Sequence, residues 1–519
     1  MLTYMIRAVA PFLTNRAAKS TDDSFFAALS RAWKVAPESF GREDPHGWGR
    51  RRQAQLAVRR GGANAASLHD MREAAYLGSI ADTLPTLLLD EQLSDIIDTP
   101  AQWSTSRSPS LREAAAAWSR IMSLKDPLTG VPIVKRLRTS EFHKSIFAAL
   151  CSGDASSSDS LTDDDFPNIA NLARTSGLQL QRAFAFVVQE HNYECFMAHP
   201  TIRAESKAAV AACGAPAAGA FLNTLPRKPE LRLDEISFRD AVCHHFRLPN
   251  AHRIHGDMSR CPCGARPDAD PSAPSFAEHV LGCIQCSKGL GVGNPRLIRH
   301  NMLLPVLNDL YTQMGFEFDS RPAFLRVPGT RDDKLLDCVA RCPGNRDNSV
   351  GVDLTVIATM AAKYLGPALA GSRARNAKPS PFAATSKAEA SKHRKYDGPV
   401  ATMNPPLKFV AIAFSDFGGM GFEFYSTVVR PYFEELREKE EAAGGSGWDA
   451  RKKKSEFLQR ASVTICRGNS RVLDCMRHDW QSATAPDLVT STVHNPRTLA
   501  ATSDPGTHDP TAATPAGGP

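Results

Sequence analysis

Apolar positions in the first half of the chain recur at helical spacing. Leu2, Met5, Ile6, Val9 and Ala10 form one stripe and Phe25, Phe26, Leu29 and Trp33 a second, so residues 1–60 read as helical. Asp22 or Asp23 is placed to cap the second of these helices. Arg59-Arg60-Gly61-Gly62 marks a turn, and a helix follows from Leu68 to about Leu84, where Pro85 is expected to stop it. That helix carries a run of small residues, Ala74-Ala-Tyr-Leu-Gly-Ser79. Helical spacing returns over 109–150, 178–197, 202–213 and near 234–247. Between them Cys151–Asp165 is rich in Ser and Asp and reads as a surface linker.

The pattern changes after residue 250. A helix is expected from Pro295 to about Met314. Leu335–Val339 and Val350–Ile357 are short apolar runs on either side of a turn-rich stretch, and read as strands. Residues 383–397 read as a basic helix. Lys408–Phe414 reads as a buried strand that ends at the glycine turn Ser415–Gly421. Residues 424–440 and 451–478 are charged helices, and from Gln481 onward six Pro among Thr, Ser and Ala read as a disordered tail.

Composition narrows the function. The 519 residues leave room for several domains. No apolar run reaches the roughly 18 residues that a spanning helix needs. Twelve Cys are too sparse for a secreted disulfide scaffold. Met1–Ser20, with Arg7, Arg16, Lys19 and no acid, is compatible with a transit sequence, but reads better as an ordinary amphipathic helix. With 62 Lys+Arg against 55 Asp+Glu the net charge is only +7, so affinity for a polyanion has to come from local clusters. Two exist: eight basic against two acidic residues over 371–410, and eight against three over 451–480.

Four of the Cys fall close together. Cys261-Pro-Cys263-Gly264 is a tight turn with two thiols, and His279-Val-Leu-Gly-Cys283 follows after a Pro-rich loop. Two thiolates from a turn with His and Cys from a short helix make a closed Cys₃His set suited to a structural zinc ion. Cys286 is a spare that could replace Cys283.

Further along, Asp337 and Asp353 each sit in or beside a short apolar strand. A buried strand tolerates a carboxylate poorly unless it is paired or ligates a metal. Two carboxylates on adjacent strands with a backbone carbonyl form a hard oxygen site for Mg²⁺ or Mn²⁺, able to promote phosphodiester hydrolysis. The basic segment Lys387–Tyr396 supplies a cation, and on a helix Glu389, Lys392 and Tyr396 share a face.

The ordered set is C-x-C, H-x-x-x-C, Arg299-His300-Asn301, two Asp 16 apart, and a Lys-rich helix ending in Lys395-Tyr396. It resembles the C-terminal region of non-LTR retrotransposon polyproteins of the restriction-like endonuclease class. In that family a zinc knuckle follows the reverse transcriptase and precedes a nuclease of the PD-(D/E)xK type. Upstream, Leu56-Ala-Val-Arg-Arg-Gly-Gly62 with Ala74–Ser79 resembles the reverse transcriptase thumb. Ala220–Pro226 with Phe238–Val242 resembles the helical linker before the knuckle, and Arg467–Arg471 the helix that closes the nuclease.

The resemblance implies an α+β multidomain protein. Residues 1–150 would be a helical thumb remnant, 151–165 a linker, 166–250 a helical linker domain and 251–290 the zinc knuckle. Residues 291–480 would be a mixed α/β nuclease and 481–519 a disordered tail. It further implies that Cys261, Cys263, His279 and Cys283 bind zinc, and that Asp337 and Asp353 hold a catalytic Mg²⁺ or Mn²⁺. Lys392 or Lys395 would stand near the scissile phosphate, and Arg299, His300, Asn301, Arg394 and Tyr396 would contact nucleic acid. The implied reaction nicks a DNA target, in the nucleus, to prime reverse transcription of the element's RNA.

Two departures bear on this. The polymerase motif Tyr/Phe-x-Asp-Asp is missing, so the chain is expected not to polymerise DNA and looks like a copy beginning in the thumb. The family's first metal-binding Asp commonly follows Pro, whereas Asp337 follows Leu, with Asp332 and Asp333 as rivals. A nuclease-dead remnant that only binds nucleic acid is the competing expectation.

Overall fold

A computed structural model describes residues 10–41, 45–87, 100–140, 143, 146, 177–248, 263, 275–283, 295–320, 336–344, 348–373, 378–401 and 407–484. The stripe expected over Leu2–Val9, the linker 151–165, Cys261, Cys286, Asp332, Asp333 and nearly all of the tail lie outside these residues. The described chain is α+β and mostly helical, with one four-stranded sheet. No described helix is long and apolar enough to cross a membrane.

The first half is helical as its periodicity predicts. Its helices are α1 (Pro11–Ala32), α2 (Pro45–Gln55), α3 (Leu68–Leu87), α4 (Pro100–Thr105), α5 (Pro109–Met122), α6 (Gly177–Ala198), α7 (Ala204–Cys213) and α8 (Glu235–His245). Three local expectations change. Pro85 lies inside α3 rather than ending it. The helix expected over 109–150 stops at Met122, and Ile133–Thr139 forms a 3₁₀ turn. Asp22 and Asp23 lie inside a single long helix, and Asp22 caps a different one. Its buried carboxylate accepts from Leu68 N at 2.8 Å and Ser67 Oγ at 2.6 Å, at the start of α3.

The small residues of α3 have a packing purpose. A Cβ on Gly78 would meet the Gln181 Cβ at 2.7 Å and the Gly177 carbonyl at 2.8 Å, so α3 and α6 approach closely only because Gly78 has none. Beside this crossing Trp118, Phe184, Leu137 and Leu180 form the core of the helical half.

The second half builds three layers. α9 (Phe276–Gly282) and α10 (Pro295–Gln313) precede the strands β1 (Glu317–Asp319), β2 (Cys338–Arg341) and β3 (Val350–Ile357). α11 (Ala362–Arg373) and α12 (Ala383–Ala401) then lead to β4 (Lys408–Ser415). A parallel neighbour needs a crossover, and these two helices provide it: β1, β2 and β3 pair antiparallel, while β4 joins β3 in parallel. Phe422–Phe424 enters a π turn at Tyr425–Val429 that continues as α13 (Arg430–Ala442), and α14 (Trp448–Thr484) follows. α14 therefore includes the first residues of the expected tail.

Alternation on the strands separates the two faces of the sheet. Val352, Leu354, Ile412 and Phe414 pack with Leu307 and Tyr311 of α10 and Phe457 and Ile465 of α14. Ile357 and Ala413 pack with Ala384 and Ala388 of α12, and Val339 packs with Tyr396 and Val400. The sheet unit does not end at the expected domain boundary. Ala217 belongs to the sheet core, and Phe221, Val242 and Phe246 share a core with Val463 and Cys466 of α14.

Asp22→Ala removes the remote cap and strands a buried hydroxyl and backbone N–H. We expect a loss of about 2 kcal/mol in a urea titration, whereas Ser24→Ala, on the exposed face of α1, should change stability by less than about 0.5 kcal/mol.

Candidate active site and metal centre

The two carboxylates share one cleft: β2 begins at Cys338, paired with Val352 of β3, and Asp337 immediately precedes it, close enough to Asp353 for their charges to interact. The Asp337 N–H donates to the Val352 carbonyl at 3.0 Å, and its Oδ2 accepts from the Leu354 N–H at 2.7 Å. Asp353 is 3 % exposed and lies on the face covered by α12. The charge of Asp337 acts on Asp353 as a like charge, so the arrangement requires counter-charge.

Two helices deliver it. From α10, His300 Nε2 lies 3.1 Å from Asp337 Oδ2. From α12, Lys392 forms an ion pair with Asp353 Oδ2. Tyr396, one turn further along α12, hydrogen-bonds Asp353 as well. Burial raises the Asp353 carboxyl above its ordinary range; Lys392 opposes this and Asp337 adds to it. Burial alone would lower the His300 imidazole, but its bond to Asp337 outweighs that and holds it above the usual histidine value. Asp337, Asp353, His300 and Lys392 all line one open cleft of about 550 Å³.

The remaining expected site residues divide. Lys395 lines the same cleft and bonds the Tyr396 hydroxyl, with its ammonium 4.1 Å from the ring centre. Lys392 is the lysine paired with Asp353. Asn301 is exposed, with Oδ1 3.1 Å from His300 Nδ1, and Arg394 is exposed on α12. Arg299 and Tyr396, expected to contact nucleic acid, are each 1 % exposed. Arg299 reaches across to Asn469 Oδ1 of α14 at 3.3 Å, and so ties two helices together rather than offering a surface cation.

Glu389 does not share the duty of Lys392 and Tyr396. It accepts from the backbone N–H groups of Glu423 and Phe424, and Gly421 lacks the Cβ that would run into its carboxylate. Burial pushes its carboxyl up to about 7, despite those bonds.

A second group lies at the rim. Ligand atoms of Cys263, His279 and Cys283 all lie within 4.8 Å of one another, with Cys263 Sγ 3.4 Å from His279 Nε2. Tetrahedral ligands of a zinc-sized ion stand about 3.5 Å apart, so the trio can hold a metal ion. Burial lowers the His279 imidazole and favours the neutral form a metal needs. α9, which carries His279 and ends at Cys283, is firmly seated. Ser275 and Glu278 form a reciprocal capping box, and Glu278 pairs with Arg247. Ala277, Val280 and Leu281 pack on Val472 and Leu473 of α14 and on Ala358. Leu281 and Gly282 then form one wall of the carboxylate cleft, a role the spacing of Cys and His did not suggest.

Neither protein-family models nor curated proteins yield a match to this chain.

Two outcomes follow from this geometry. Cys283→Ser should reduce the metal that co-purifies with the chain to background in elemental analysis; unchanged metal content excludes the trio as ligands. Between pH 4.5 and about 7 the folded chain keeps a proton on Glu389 that the unfolded chain has released. Stability should therefore fall as pH rises through that window and level off above it. Glu389→Gln should flatten this slope in denaturant titrations, and an unaltered slope would show that Glu389 does not titrate there.

Proposed function

We propose that the chain is a metal-dependent endonuclease that nicks DNA, built on a PD-(D/E)xK-like core and derived from a non-LTR retrotransposon polyprotein. The observation that carries this reading is that Asp337 and Asp353 line one open cleft, Asp337 bonded by His300 and Asp353 paired with Lys392 from two different helices. Neighbouring carboxylates in a cleft are a costly arrangement that a divalent cation relieves, and their hard oxygen donors suit Mg²⁺ or Mn²⁺. Asp337 and Asp353 would hold such an ion, which when bound would supply an activated water and stabilise the negative charge that develops on the phosphoryl oxygens.

The chain's own residues do the rest. His300 orients Asp337, and Tyr396 orients Asp353. Lys392 sits where its ammonium can neutralise a phosphodiester oxygen entering the cleft. Exposed Arg394 on the same helix adds a contact to the phosphate backbone. Cys263, His279 and Cys283, with Cys261 as fourth ligand, form a structural zinc knuckle whose helix walls the cleft. The order of knuckle, Arg-His-Asn helix, paired Asp strands and Lys-rich helix supports the retrotransposon origin. In that setting the nick exposes a 3′-hydroxyl from which the element's RNA is copied, in the nucleus. The polymerase that copies it is another polypeptide or segment, because Tyr/Phe-x-Asp-Asp is missing from this sequence.

One observation favours a second reading. Lys392 and His300 already neutralise both carboxylates, so the pairs are satisfied without a metal, as in a remnant that only binds nucleic acid. Nicking of supercoiled plasmid separates the two. With Mg²⁺ the chain should convert plasmid to the open circle, Asp353→Ala should reduce the rate at least about 100-fold, and Lys392→Ala about 10- to 100-fold. Equal nicking by chain and Asp353→Ala would overturn the assignment of the cleft, and no nicking by the chain would leave the binding reading.

A further inference from the structure

The helical half contains a charge cluster that neither the cleft nor the metal trio uses. Glu190 and Glu194 lie one turn apart on α6 and are fully buried, a placement that demands cations. Glu190 is paired by Arg59, Arg60 and Arg136. Arg136 also binds Glu194 at 2.5 Å and Asp126 at 3.0 Å. Lys378, from the segment leading into α12, reaches the same two acids at 2.5 and 2.7 Å. Four cations thus face three carboxylates, and the cluster keeps one positive charge in excess.

That excess opens onto a cavity of about 620 Å³ lined by Arg59, Arg136, Arg182, His143, Gln179 and Ser140, among others. Arg59 is half-exposed there, with its guanidinium stacked 4.6 Å from the Phe186 ring, which fixes its plane. Arg182 is exposed at the rim and makes no ion pair among the described residues. No carboxylate lines the cavity among the described residues. The start of α6 is already occupied by Asp82, which accepts from the Gly177 N–H at 2.7 Å, so the pull on an anion comes from side-chain charge. The field is felt by His143, whose imidazole is lowered by burial and by the charge of Arg59.

We propose that this cavity binds a backbone phosphate of a nucleic-acid strand, with Arg59 and Arg182 as the contacting cations and Gln179 and Ser140 as neutral hydrogen-bonding partners. A guanidinium fork matches the two non-bridging oxygens of a phosphodiester, and a pre-oriented guanidinium loses little freedom on binding. The choice of a strand over free phosphate rests on the nuclease reading; the site itself does not.

Binding of fluorescent single strands of about 12 nucleotides, one DNA and one RNA, tests it by anisotropy without added Mg²⁺. Arg182→Glu, an exposed change that should leave the thermal melt unaltered, is expected to weaken binding about tenfold and to reduce the salt slope by about one. Arg182→Lys should restore most of the affinity. Unchanged affinity in Arg182→Glu overturns the site. Competition by inorganic phosphate at the same concentration of phosphate groups overturns the strand and leaves a small-anion pocket. Asp353→Ala nicks poorly if the cleft is catalytic, whatever Arg182→Glu does to binding, so the two readings fail separately.

Discussion

Two neighbouring carboxylates in one cleft constrain everything around them. Asp353 is buried in the sheet, and the like charge of Asp337 beside it adds to the penalty of that burial. The fold answers with one partner from each flanking helix: His300 from α10 and Lys392 from α12. That demand explains why the crossover between β3 and β4 runs through a basic helix, and why the first turns of α10 must lie at the mouth of β2. The apolar contacts on the two faces of the sheet, Leu307 and Tyr311 on one and Ala388 and Val400 on the other, hold those cations in place.

A similar logic recurs in the helical half. Glu190, Glu194 and Asp126 are buried acids that can stay charged only beside Arg59, Arg60, Arg136 and Lys378. The bonds from Arg60 and Arg59 overcome the burial of Glu190 and hold its carboxyl below the ordinary range. Breaking a buried network by removing one partner is far more damaging than never having built it. Through Lys378 this network is tied to the segment that leads into the helix of Lys392, so the two halves share an electrostatic seam as well as an apolar one.

Much of this was legible in the sequence, and unevenly so. Val350–Ile357 reads as a strand and is one over those residues, because a run of β-branched and apolar side chains bounded by turns has few other solutions. The run of small residues at Ala74–Ser79 signals close helix packing only once Gln181 and Gly177 are seen against Gly78. Asp22 looked like a local cap and serves a helix 46 residues away, since nothing in local spacing reports a tertiary hydrogen bond. Arg59 and Arg60 looked like a turn. The signal for a partner is Glu190 and Glu194 at one-turn spacing, where like charges on one helix face require cations from elsewhere. Arg299 looked like a surface cation, but a stem that packs against Gly468 leaves its guanidinium inside.

The long last helix has a practical meaning for anyone who wishes to work with less than the whole chain. α14 contributes Phe457 and Ile465 to the sheet core, Val463 and Cys466 to the core around Phe221 and Phe246, and Val472 and Leu473 to the seat of α9. A recombinant fragment cut at residue 291 would keep the sheet and both carboxylates. It would also bare two apolar strips of α14 and remove one wall of the cleft. A unit that keeps the cleft and these contacts therefore starts before Ala217, upstream of the knuckle, and not where the motifs begin.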